Sequence, residues 1–386
     1  MAIYLDYAAS VPINAEVLAT FTEALTVSGN ASSTHSFGQT SRMMLEESRE
    51  QIALAVGCDR SEVIFTSGGT ESDNLAIKGL FWQRRGEDSA RKVIVSAYTE
   101  HHGVIDPIEW LETHEGAEVI WLPVLENGVV DLKALENVLL DRANEVALVS
   151  LMWANNETGV ITDIQAVTAL AAKHKIPVHS DAVAAFGHMS TNFADSGLAA
   201  MSITAHKVAG PVGVGALILS RAAKVTSLIH GGGQERSVRS GTMNAAGAKA
   251  FAHAAEVAIK NLDQHIKHTD ALLAKLRESI ETSISGARFS RSDAPGLSMN
   301  AHYTFEGLKS DGLLFLLDQA GFAVSAGSAC QAGVARASHV LLAMGRNEDE
   351  ANACLRITFG LETTEAEIDA FVKALVPAVE SARKAN

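Results

Sequence analysis

Short apolar runs rich in β-branched residues alternate along this chain with longer amphipathic stretches. The runs at 63–65, 93–96, 119–122, 146–152, 178–179, 202–204 and 215–219 each read as a strand. Between them, 164–174 places Ile164, Val167 and Ala171 at three- and four-residue intervals, the spacing of a helix with one buried face. Strands alternating with helices in this way predict an α/β fold, a mainly parallel sheet with helices over its faces.

Downstream the pattern changes. From Asn244 to about 283 the chain is rich in Ala, Lys and Leu, with no glycine after Gly247 and no proline, so it reads as helix long enough to cross between domains. Alternating Leu297, Ser298, Met299 and Asn300, followed by a helical run at 310–320, reads as a smaller α+β unit. The expected division is a large unit at 12–260 and a small one made of 1–11 and 261–386. No internal repeat or low-complexity segment is present.

Composition narrows the class. A chain of 386 residues with 47% hydrophobic and 20% charged residues can bury a substantial core in two domains. Lys and Arg number 31 against 45 Asp and Glu, and the net charge of -14 argues against nucleic acid or an anionic membrane surface as partner. Cys58, Cys330 and Cys354 show no CxxC spacing and leave one thiol over, which fits reduced thiols in the cytoplasm better than a disulfide framework or structural zinc. Asp6 stands where a signal peptide would be basic, so no export is expected. No window approaches the ~20 uninterrupted apolar residues of a membrane span.

The candidate chemistry sits at strand ends, where open α/β sheets place ligand contacts. Ser67-Gly68-Gly69-Thr70-Glu71-Ser72 lies between a strand and the helical pattern 74–80; it is either a plain turn or a phosphate cup, with glycines for close approach and a helix N-terminus for charge. It lacks the lysine of GxxxxGK[ST]. Asp181 is either a helix N-cap or a carboxylate able to hold a pyridinium proton. His174, His179 and His188 surround it, but their spacings match no familiar metal-ligand set, so no metal is expected. His206 and Lys207 end another strand just before Gly210–Gly215, placing a lysine where desolvation lowers its pKa and frees its amine for a Schiff base. His101, after the run at 93–96, is either a loop histidine or a ring that stacks on an aromatic cofactor. Arg239 and Arg356 suit a carboxylate or phosphate, or a surface salt bridge. Cys330, in Ser325-Ala326-Gly327-Ser328-Ala329-Cys330, has the small neighbours of an exposed, reactive thiolate.

Taken in order, Tyr4–Ala9, Gly29–His35, Phe65–Ser72, Asn155–Gly159, His206-Lys207, Arg239–Thr242 and the Cys330 segment resemble the cysteine desulfurases, pyridoxal-phosphate enzymes of the class V aminotransferase family, nearly end to end. The resemblance implies the fold type I of pyridoxal-phosphate transferases, with a seven-stranded sheet in its large domain. It implies that Lys207 binds the cofactor, Asp181 faces the pyridine nitrogen, His101 stacks on the ring, and Gly69, Thr70, Thr204 and His206 hold the phosphate. Asn155 and Arg356 would grip the substrate carboxylate. In a homodimer, Thr242 would reach the partner's phosphate. L-cysteine would lose its sulfur to Cys330 as a persulfide, alanine would leave, and an acceptor such as an iron-sulfur scaffold protein would take the sulfur.

The chain departs from the family pattern at several places. Ala184 stands three residues after Asp181, where a glutamine usually contacts the cofactor's phenolic oxygen. Thr162 replaces another glutamine, Ala326 a serine, Leu361 an arginine and Tyr7 an asparagine. The length and small residues of the Cys330 segment resemble the branch with a long loop. Two other readings remain: a class V aminotransferase or selenocysteine lyase, and a scaffold that keeps the fold without turnover.

Overall fold

A computed structural model of the chain describes residues 2–327 and 337–384. Its strands, in chain order, are β1 (Ile3–Tyr4), β2 (Val63–Thr66), β3 (Val93–Ala97), β4 (Glu118–Leu122), β5 (Val146–Ser150), β6 (Val178–Asp181), β7 (Ala200–Thr204), β8 (Gly215–Leu219), β9 (Ala287–Phe289), β10 (Asn300–Phe305), β11 (Phe322–Ala323) and β12 (Cys354–Thr358). Seven of them form one sheet in the order β2-β8-β7-β6-β5-β3-β4. The pairs from β7 to β4 are parallel, whereas β8 runs antiparallel to both β7 and β2.

The period-two alternation of each strand serves two cores at once. Val63, Phe65, Val93 and Val95 face one layer with the Ser36–Val56 and Ala245–Lys260 helices. Ile64 and Ile94 face the other, against the Gly69–Glu87 and His102–Glu115 helices. Both faces being covered explains why these strands are continuously apolar.

Beyond Asn261 the chain builds a separate core. Leu272, Leu276 and Ile280 of the Leu262–Ser283 helix pack with Tyr303, Leu355, Ile357 and Phe371 over the sheet β12-β10-β9. Leu5 belongs to this core too, because β1 pairs with β11. The expected single long helix is two, sharing Asn261 as C-cap of one and N-cap of the next. The expected strand at 297–300 is corrected: β10 starts at Asn300, and Leu297 and Met299 are buried in the large core because a turn carries them there.

One buried ion pair holds the sheet's edge. Arg49 Nη1 and Nη2 donate to Glu235 (2.8 and 2.7 Å), Arg49 also donates to Val63 O, and Glu235 accepts from Phe65 N (2.8 Å). The edge strand β2 thus has its backbone tied from outside. No described helix is long and apolar enough to cross a membrane.

Candidate active site

The carboxyl ends of the central strands carry the side chains singled out from the sequence. β2 leads into the Gly69–Glu87 helix, whose N-cap, Gly68, offers no side-chain cap. The unpaired N–H groups and positive end of a long helix therefore remain for an anion. A Cβ at Gly69 would stand 2.6 Å from Val183 Cγ2, so that side chain would have to shift, whereas one at Gly68 would meet Thr204 Oγ1 at an ordinary 3.9 Å. Thr204, at the end of β7, donates to Val214 O (3.2 Å). Arg239, a candidate anion ligand, instead pairs with Glu71 in the helix's first turn (2.7 Å).

Asp181 ends β6, and one of its oxygens accepts from Val183 N at 2.8 Å. Burial pushes its pKa up to about 6, with Lys207 opposing. Two further carboxyls lie buried beside it, Asp73 and Glu100, both pushed up by burial and by the charge of Asp181. One oxygen of each has no hydrogen-bond partner among the described residues. The ring nitrogens of His179 engage Ser150 Oγ (2.9 Å) and Ser202 Oγ (3.0 Å), and Nε2 lies 3.6 Å from Asp73 Oδ1.

Lys207 lies in the turn Ala205–Lys207 between antiparallel β7 and β8. Its Nζ donates to Ala8 O and to Ala9 O, the latter at 3.0 Å. Its charge is felt at Asp181, His101 and His206. His101 caps the His102–Glu115 helix, its Nδ1 accepting from Gly103 N at 2.9 Å. Burial first, then Lys207, lowers both His101 and His206 to about 4, so each ring is neutral near pH 7.

Asn155 follows β5; its Nδ2 donates to Thr99 O (2.8 Å) and its Oδ1 accepts from the amides of Glu157 and Thr158. Arg356, on β12 and 3% exposed, donates to Asn156 O (2.9 Å) and Asp6 Oδ1 (2.7 Å), bringing the small core's sheet against this turn. A narrow cleft between them is lined by Tyr7, Asn155, Ala184, His188, Lys207 and Asn300. Thr242 stands apart, exposed and not hydrogen-bonded to the others. Cys330 lies outside the described residues.

An amine, a buried carboxylate, a neutral imidazole and an uncapped helix N-terminus thus share one strand edge. Those groups fit pyridoxal phosphate by charge and by donor set. The aminotransferase class-V family profile matches residues 3–371. The chain belongs to the class V aminotransferase family.

Class V relatives sharpen the likeness. An "IscS-like cysteine desulfurase" of Mycobacterium tuberculosis is 45% identical over 99% of this chain and 97% of its own length. The structure of a "NifS-like protein" superposes with a TM-score of 0.90 at 31% identity, covering 99% of this chain and 100% of that one. That of "SspA in complex with cysteine" does so at 0.79 and 30%, covering 92% and 98%. The fold is that of these class V enzymes, and their families depend on pyridoxal phosphate.

Sequence reasoning weighed His188 only as a metal ligand and gave Asp73 and Glu100 no role. His188 Nε2 meets Lys207 O at 2.9 Å and its Nδ1 meets His265 Nε2 at 3.1 Å. No motif signals these residues; only the closing of strands and helices on one another shows them.

Proposed function

We propose that the protein is a pyridoxal-phosphate-dependent cysteine desulfurase, converting L-cysteine to L-alanine and carrying the sulfur on Cys330 as a persulfide. The observation that carries this reading is the Lys207 amine within electrostatic reach of buried Asp181, at the strand edge where the uncapped Gly69–Glu87 helix begins, in a chain whose relatives bear that name. The cofactor, when bound, supplies an electron sink for the substrate's α-carbon.

Lys207 would hold the cofactor through its amine, and that amine would move the substrate's α-proton. Asp181 keeps the ring nitrogen protonated, since a cation brought against a buried carboxylate restores its ionised form. Gly69, Thr70, Thr204 and His206 hold the phosphate, and neutral His101 covers the ring. Asn155 and Arg356 orient the substrate carboxylate. The Cys330 thiolate forms a bond to the substrate's sulfur as its Cβ–S bond breaks, and the carbon skeleton gains a proton and leaves as alanine.

The protein works as a homodimer, which gives exposed Thr242 a cofactor phosphate to reach in the partner subunit. It acts in the cytoplasm, consistent with unpaired thiols, and hands its sulfur to an acceptor such as an iron-sulfur scaffold protein. Its domains are 12–260, with the two layers packed on the seven-stranded sheet, and 1–11 with 261–386, from which Tyr7, Leu297 and Met299 reach into the larger unit's core.

The test is the purified protein with pyridoxal phosphate, L-cysteine and a reductant, with alanine and sulfide assayed together. Equal amounts of both, lost in Cys330→Ala, are expected. Turnover indifferent to Cys330 would instead favour an aminotransferase or a selenocysteine lyase, a reading to which the small Ala184 in the cleft lends some room.

A further inference from the structure

The turn after β5 does more than present Asn155. Asn155 Oδ1 accepts from Glu157 N (2.9 Å) and Thr158 N (2.8 Å), so the turn is folded around that side chain. It leaves Glu157 1% exposed. A carboxylate is costly to bury and stays so only where its partners are fixed.

Those partners flank the segment that carries Cys330. On the far side, Ser338 Oγ donates to Glu157 Oε2 at 2.5 Å, while Ser338 N donates to Ala351 O and Ser338 Oγ caps the His339–Ala343 helix through Leu341 N. On the near side, Ser325 exchanges backbone bonds with Arg356, and Gly327 adopts φ +88. A Cβ at Gly327 would stand 2.9 Å from the same Glu157 Oε2 and 3.3 Å from His302 Nε2, a fully buried ring nitrogen with no hydrogen-bond partner among the described residues. Backbone at Gly327 and side chain at Ser338 therefore converge on one oxygen. The same turn also accepts Arg356 through Asn156 O.

We propose that Glu157 is a positioning residue that fixes where the chain leaves for Cys330 and where it returns, in register with the turn that orients the substrate. This rests on the reading of Cys330 as sulfur acceptor. Glu157 touches neither substrate nor cofactor in this role, so its loss acts on the sulfur-transfer step and spares substrate binding.

The test compares holoenzyme carrying Glu157→Ala, Glu157→Gln, Ser338→Ala, the double variant Glu157→Ala/Ser338→Ala and Cys330→Ala. Turnover by Glu157→Ala and by Ser338→Ala is expected to fall about tenfold or more, the scale of a misplaced reacting group. L-cysteine affinity, read from the cofactor's absorbance change, should stay within about twofold, because that signal reports binding ahead of sulfur transfer. Glu157→Gln keeps an acceptor for Ser338 and should recover most of the rate. The double variant should be no worse than either single one, as residues acting through one bond are not additive. Wild-type turnover in Ser338→Ala, or cysteine affinity lost in step with rate, would overturn the proposal; Ser338→Ala alone decides if Glu157→Ala does not fold. Full turnover in Cys330→Ala would instead sink the underlying reading. A dead Cys330→Ala beside unimpaired Glu157 and Ser338 variants sinks only this proposal.

Discussion

A β-carbon at Gly69 would press on Val183, and Val183 N is the amide that holds Asp181. The proposed phosphate cup and the carboxylate proposed for the ring nitrogen are thus mechanically one unit. Gly69→Ala should weaken pyridoxal-phosphate affinity by about tenfold or more, given the cost of overpacking, with a smaller change in denaturation midpoint; titration of the cofactor's absorbance reads the first. Unchanged affinity would mean that Val183 yields freely. At this scale the sequence was legible for place: Lys207 and His206 before a glycine-lined turn and His101 and Asp181 after apolar runs do stand together at the strand ends, as their types and positions suggested. Asp73 and Glu100 were not, since an acid on an amphipathic helix or in a loop gives no sign that it will face another carboxylate across three elements. Glu157 was read as part of a motif, and its bond to Ser338 joins residues far apart in the chain.

Strands were easier to read than their directions. Buried β-branched runs mark β2 to β8 whichever way they point, and the antiparallel sense of β8 comes from the short return after Lys207, a property of the connection and not of the run. Leu297 and Met299 misled because a turn packed on a core shows the same alternation as a strand. The long helix broke at Asn261 although its composition favours helix throughout, because its two halves bury their faces in different cores. At the sheet edge, Glu235 does the work of a missing neighbour for β2, satisfying Phe65 N while Arg49 satisfies Val63 O. Glu235→Ala leaves Arg49 as a buried charge with its main partner gone. It should cost about 3–5 kcal/mol, measured by chemical denaturation; a loss below about 1 kcal/mol would show that water reaches Arg49 and replaces the bond.

For the whole molecule, six histidines have depressed pKa values through burial: His101, His188 and His206 at about 4, and His179, His265 and His302 at about 3. In the unfolded chain each titrates near 6.5, so below that pH the unfolded state binds more protons and stability falls as pH falls towards about 4. Asp181 acts in the opposite sense, its raised pKa favouring the fold at low pH and losing that contribution as pH rises through about 6, and buried Asp73 and Glu100, also raised, act as it does. The six histidines outnumber these three carboxyls. The denaturation midpoint should therefore drop between pH 7 and pH 5, and a level or rising midpoint would contradict the assigned burial. The two cores are joined not only at Asn261. The chain begins in the small core at β1 and crosses to the large one through Asp6–Val11, where Ala8 O and Ala9 O receive the Lys207 amine and Val11 N donates to His206 O. If Lys207 holds the cofactor as proposed, its amine is withdrawn from those carbonyls, and loading slackens the strap between the two halves. Amide exchange across Ala8 to Val11 should be faster in the loaded protein than in the empty one, making this stretch a gauge of occupancy that needs no chromophore.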